Sequence, residues 1–278
     1  MSKYKWNEFG KIKNFLELKD YLKDKEFHHE KYCHYTSLSV IDSILANKAF
    51  WIGSVKRFND LYDSSAFGNE LNLYYAICFS TGVNENLPLW YLYSGNDGKG
   101  GRILLTKSGI KRFLSPVSFE VYRLEGGKTT EKISDLSLDD VKINFYDVLY
   151  YKKNGTHTDL KYNTMTNHIF LSEEFEKYKK SRKGFYKSLI WYYEKETRLL
   201  IKLKSQSIIN KLRCDYDYVI VWHFDEKLYN MFKIEFAPEV ENINEILSLN
   251  ENSHIKEFVY STSNAKLSEY HSMIKMKR

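Results

Sequence analysis

The 278 residues predict an α+β fold in one domain, on three observations. Short apolar runs of strand length recur along the chain, bounded by turn residues. Between them lie stretches whose apolar residues fall three and four apart, the spacing of one helical face. No internal repeat or low-complexity linker interrupts the series, and 43% hydrophobic content is enough for a substantial core. The organisation expected is a core over about 28–240, a helical insertion over 154–183 and a helical, charged tail over 240–278.

Taken in order, residues 11–25 set Ile12, Phe15, Leu18 and Leu22 on one helical stripe. Residues 31–36 read as a short strand. Ser39-Val40-Ile41-Asp42 reads as a capping-box-like helix start, with Ile41, Ile44 and Leu45 on the apolar face and Asn47 as the stop. Residues 49–52 are a second strand, and 57–63 a turn with Asx chemistry. Tyr74–Ser80 is an apolar strand, after which Pro88 opens a short helix through Tyr93. The glycine-rich run 94–102, with Lys99 and Arg102, is either an anion-binding nest of backbone N–H groups or an ordinary connection to the strand 103–105. It lacks the residue order of a P-loop.

Residues 117–122 and 144–151 read as strands, and 126–140 as an exposed polar loop. Residues 170–180 read as helix. His157 and His168 read as surface or packing residues, because no second ligand lies at metal spacing. Phe185, Ser188, Leu189 and Tyr192 share a helical face, 218–222 and 231–236 are strands, and 240–249 is helix.

The segment Trp191-Tyr-Tyr-Glu194-Lys195-Glu196-Thr-Arg198 sets two carboxylates one residue apart at the start of an apolar strand. Alternate strand residues share a face, so Glu194 and Glu196 are expected to point together with Lys195 opposite. Two readings follow. Either a pocket uses the acids on a cationic or charge-developing substrate, or they are solvated partners of nearby lysines.

Composition narrows the classes. The 23 Tyr, 17 Phe and 5 Trp supply rings with polar handles, suited to flat ligands. A net charge of +6 favours a phosphate-bearing partner, whereas 34 Lys against 8 Arg is a poor basis for base-reading Arg forks. Cys33, Cys78 and Cys214 are far apart without C-x-x-C spacing, and read as reduced, mostly buried thiols. The start of the chain carries no apolar signal region and no window reaches membrane-span length, so a bacterial-type cytoplasmic protein is expected.

Four segments together resemble a bacterial group known as domain-of-unknown-function family 2971. They are His34-Tyr35-Thr36 with Lys48-Ala-Phe-Trp51, Arg57-Phe-Asn-Asp60, Cys78-Phe-Ser80 with Leu89-Trp-Tyr-Leu-Tyr93, and Tyr193-Glu194-Lys195-Glu196-Thr197-Arg198. The chain departs from that pattern at Leu61-Tyr62-Asp63, where Pro-Phe-Glu is usual, and at Thr197, where Trp is usual. More distantly the chain is similar to ADP-ribosyltransferases, with a His-bearing strand, an aromatic and Ser-bearing segment, and a strand opening on Glu in that order. This similarity implies a split β-sheet core with flanking helices, NAD⁺ as substrate and no metal. It implies Glu196 as the catalytic carboxylate with Glu194 activating an acceptor, His34 and Thr36 on the adenosine ribose beside Tyr35, and Ser80 in the second segment. Tyr91 or Tyr93 would stack on nicotinamide, and Lys99 or Arg102 would meet the pyrophosphate. A toxin or phage-defence effector modifying a nucleic acid or a protein is the implied biology. The alternatives are a metal-dependent nuclease using Asp60, Asp63, Glu194 and Glu196, and a non-catalytic nucleic-acid or partner-binding module.

Overall fold

The computed structural model describes residues 29–58, 64, 66–81, 86–93, 100–153, 160–162, 169–170, 183–238 and 260–262. The helices expected over 11–25 and 240–249, nearly all of 170–180, and residues 59–63 and 94–99 lie outside them.

Along the chain come β1 (Lys31–Ser37), α1 (Leu38–Asn47), β2 (Ala49–Ser54), β3 (Tyr74–Ser80), α2 (Leu87–Tyr93), β4 (Gly100–Thr106) and α3 (Lys107–Phe113). Then follow β5 (Ser118–Glu125), β6 (Lys128–Asp135), β7 (Val141–Asp147), β8 (Leu149–Lys153), β9 (Leu160–Tyr162), β10 (Ile169–Phe170) and β11 (Tyr186–Ser188). The series closes with β12 (Glu196–Leu203), α4 (Gln206–Ile209), β13 (Asp217–His223), α5 (Glu226–Tyr229), β14 (Lys233–Phe236) and β15 (Tyr260–Thr262). With mostly antiparallel strand pairs and short helices, the fold is α+β.

Local chemistry sets several boundaries. α1 is capped by Ser37 and not by the expected Ser39: the Ser37 hydroxyl accepts the Val40 N–H at 3.4 Å. Lys48, at φ 46°, ends the helix by returning its N–H to the Ile44 and Leu45 carbonyls. The polar loop expected over 126–140 is largely a strand. Gly126 and Gly127, at φ 56° and 79°, make the tight turn between Glu125 and Lys128, as a two-residue hairpin with left-handed centres requires. Every side chain of β6 is at least partly exposed, so apolar alternation is absent. Ladder pairing with β5 and ion pairs such as Arg123–Glu131 at 3.0 Å hold it instead.

The chain divides into two compact units. The first, from Gly53–Ile77 and Leu138–Tyr218, pairs β12 with β3 and β7, the latter in antiparallel register from Thr197↔Asp147 to Leu203↔Val141. A second sheet runs β10-β9-β8-β11, with β11 parallel to β8. Its apolar cluster joins Val55, Phe67, Tyr74, Phe185 and Leu200. Each such side chain, fully buried, contributes about 1.5–3 kcal/mol.

The second unit, from His29–Ile52, Cys78–Ser137 and Val219 onward, sets β14 and β1 on either side of β4, both antiparallel to it, with β15 parallel to β14. Its core is a ring cluster. Phe50 meets Phe113, Phe224 and Phe232 at centroid distances of 5.1, 5.6 and 5.9 Å, and the Trp222 indole N–H donates to the Phe113 carbonyl at 2.8 Å. Among the described residues no helix is long and apolar enough to cross a membrane.

Candidate functional site

Glu194 and Glu196 do not lie on one strand, and no α-helix precedes them. Residues 186–188 form β11, Leu189–Glu194 a 3-10 turn, and Lys195, at φ 43°, a left-handed joint before Glu196 opens β12. The 3.6-residue spacing of Phe185, Ser188, Leu189 and Tyr192 was too short a run to nucleate a helix against the parallel pairing of β11 with β8. The joint nevertheless brings the two acids together. Lys187 Nζ lies 2.7 Å from Glu194 Oε2 and 3.3 Å from Glu196 Oε2. Both glutamates are 4% exposed.

Backbone and side-chain contacts both hold the pair. The Glu196 backbone N–H donates to the Tyr150 hydroxyl at 2.9 Å, and its carbonyl accepts the Val148 N–H at 2.8 Å. Arg198, two residues on and therefore on the same strand face, donates Nε–H to Glu196 Oε1 at 2.7 Å. Its Nη1 donates to the Gly184 carbonyl at 2.6 Å, and its guanidinium lies 4.5 Å from the Phe58 ring centroid. Lys187 sits 5.0 Å over the Trp191 ring. Two acids and two bases thus share one buried site. Burial first, and then the charges of Glu196 and Glu194, raise the Tyr150 pKa well above the ordinary phenol value. Tyr193 is pushed up to about 12, by burial and then by Glu194. Both phenols are hydroxyl groups at neutral pH, able to donate but not to act as bases.

This site is one of two polar constellations among the sequence-derived residues. The other is in the second unit. Arg102, on β4, is buried and its fork is taken by Glu235 on β14 and by the Tyr35 hydroxyl at 2.6 Å. Trp90 lies edge-on to Tyr35 at 4.7 Å, and the guanidinium stands 5.5 Å from the Trp90 ring centroid. Burial opposes the Arg102 charge, but Tyr35, Cys33 and Glu235 together hold its pKa above the ordinary value. Tyr35 is raised to about 12 and the Cys33 thiol to about 11, each by burial first.

His34 is on the opposite face of β1, its Nδ1 at hydrogen-bond distance, 3.0 Å, from the Cys78 carbonyl. Its ring lies 6.0 Å from Phe50 and 5.9 Å from Phe79. Loss of water there lowers the imidazole pKa, partly offset by the Cys78 carbonyl. Thr36 is half-buried opposite Gly101, Ser80 is buried opposite Cys33, and Tyr91 and Tyr93 are half-buried on α2. Lys99, Asp60 and Asp63 lie outside the described residues. Cys33 is buried as expected, Cys78 intermediate and Cys214 exposed, all as free thiols. Among the described residues no three His, Cys, Asp or Glu side chains form a metal-holding group.

Lys187 escaped the sequence reading because it lies seven and nine residues before the acids, odd separations that would set it on the opposite face of a strand, and a turn lies between. Arg198 was within reach, since alternation places it on the Glu196 face. No protein-family model and no curated protein matches this chain.

Proposed function

We propose that the chain is an NAD⁺-consuming ADP-ribosyltransferase-like enzyme, with Glu196 as its catalytic carboxylate. The supporting observation is the buried acid pair at the start of β12. Withdrawing an ion from water costs several kcal/mol even after relaxation, and apolar residues of similar volume commonly serve stability as well. The apolar run Leu199, Leu200, Ile201 and Leu203 of β12 does not by itself call for a carboxylate and a guanidinium, Glu196 and Arg198, buried at the start of the strand. Charges assembled against that cost are candidates for chemistry.

The reaction follows from the carboxylate. The bond between ribose C1′ and the nicotinamide nitrogen breaks, nicotinamide leaves neutral with the electron pair, and positive charge develops on the ribose. A carboxylate beside the ring stabilises that charge and accepts a hydrogen bond from the 2′-hydroxyl. The acceptor nucleophile adds to C1′ and gives up its proton, for which Glu194 is the candidate base. This chemistry needs no metal. The similarity to family 2971 and to ADP-ribosyltransferases belongs to the same proposal, as do action on a nucleic acid or protein in the cytoplasm and a role in toxicity or phage defence.

Purified chain incubated with NAD⁺ and candidate protein, DNA and RNA acceptors should release nicotinamide, with EDTA making no difference. Glu196→Gln keeps the shape and the contact to Arg198 and should lower the rate by at least about a hundredfold; its far-UV circular dichroism should match the parent. Absence of both turnover and calorimetric NAD⁺ binding would sink the proposal.

A further inference from the structure

Lys187 is the one described cation that touches both acids, and the proposed reaction as stated does not use it. We infer that Lys187 is the positioning residue of the carboxylate pair: one ammonium, fixed over Trp191, aligns Glu194 and Glu196 on a common point and keeps both ionised. The inference rests on the reading above only in calling Glu196 catalytic; the charge pairing stands by itself.

Without a cation between them, two carboxylates whose oxygens both lie within 3.3 Å of one point cannot both stay ionised in a buried setting, and one takes a proton at a raised pKa. Arg198 stays beside Glu196, so the proton falls on Glu194, which then cannot take up the acceptor's proton. Arg198 pairs with Glu196, to whose Oε1 its Nε–H donates, and its Nη1 donates to the Gly184 carbonyl; Lys187 is the cation that lies within reach of both acids.

The described ionisable groups in contact with the pair come from four elements. They are Lys187 on β11, Tyr193 and Glu194 on the 3-10 turn, Glu196 and Arg198 on β12, and Tyr150 on β8. With both phenols pushed up in pKa, the charged groups among these described residues are two carboxylates and two cations. Lys187 is 9% exposed in its side chain, so bulk water and salt are poor substitutes for it.

The test is the titration of the pair itself. Protein carrying ¹³C at the glutamate carboxyl carbons is titrated by NMR, with Glu194→Gln and Glu196→Gln identifying the two signals. In Lys187→Met one of them should take its proton about one to three pH units higher than in the parent, and Lys187→Arg should restore the parent titration. The acid limb of nicotinamide release should move upward with it in Lys187→Met and return in Lys187→Arg, which a purely structural role would not produce. If Lys187→Met fails to fold, Lys187→Gln, uncharged but still a donor, replaces it. Unchanged carboxylate titration in the uncharged variant overturns the inference whatever the chain turns over. A shifted titration in a chain that releases no nicotinamide upholds Lys187 as the pairing residue and removes the transferase reading.

Discussion

Individual residues in this chain carry charge into places where apolar side chains would pack as well, and each has a measurable consequence. Arg102 is buried while its partner Glu235 is 22% exposed in its side chain. Removing the guanidinium leaves a partly solvated carboxylate and a Tyr35 hydroxyl whose remaining contact is the Asn86 backbone, so Arg102→Met should lower unfolding free energy by about 2–3 kcal/mol, short of the full cost for a completely buried pair. Urea denaturation of Arg102→Met and of Arg102→Met/Glu235→Leu checks this; the double variant should recover part of the loss. His34 gives a pH signature. Its pKa is lowered in the folded chain, chiefly by burial. The folded state therefore binds this proton less readily than the unfolded one, so stability is complete above the unfolded value near 6.5 and falls as pH drops through the folded value. His34→Gln should flatten the dependence of the urea midpoint on pH below about 6.5, compared with the parent.

At the level of elements, the entry to β11 and the joint between β11 and β12 depend on backbone conformations that most residues resist. Gly184 has φ +80°, and a Cβ there would meet Phe67 Cζ at 2.5 Å and Leu200 Cδ2 at 3.2 Å. Its carbonyl also holds Arg198, which in turn holds Glu196. Gly184→Ala should therefore cost at least about 2 kcal/mol by denaturation, from left-handed strain and from crowding of the Phe67–Leu200 contact. It should also depress any Glu196-dependent activity more than a loss of stability alone would. Lys195, an exposed residue at φ 43°, makes the opposite prediction. Lys195→Gly removes a left-handed strain of about 1 kcal/mol, and thermal melts should show stability unchanged or slightly raised, whereas Lys195→Val should lower it.

For the molecule as a whole, the net charge of +6 is carried mainly by lysine, which attracts phosphates as point charges without reading bases. If the acceptor is a nucleic acid, transfer to it at subsaturating concentration should fall by about tenfold or more between 50 and 200 mM salt. Nicotinamide release without acceptor should stay within about twofold, because the Glu194–Lys187–Glu196–Arg198 group is buried and weakly screened. A salt-insensitive transfer would point to a protein acceptor recognised by shape.

The amino-acid order by itself determined the α+β class, the strands around Tyr32, Phe79, Leu104 and Val219, and the helix carrying Ile41, Ile44 and Leu45, though not its cap at Ser37, because apolar periodicity acts within a few residues. It also marked Glu194 and Glu196 as an unusual pair. It did not reveal β6, whose polar side chains show no buried face and whose existence depends on pairing with β5. Nor did it reveal the turn that takes Glu194 off the strand, since the parallel β11–β8 pairing is set by residues far apart in the chain. The partners of the charges were tertiary decisions too. Lys187 reaches both acids across a 3-10 turn and a left-handed joint, and Arg102 meets Glu235 across 133 positions. Local pattern tells which side chains must leave water, whereas only the folded chain decides which opposite charge goes with them.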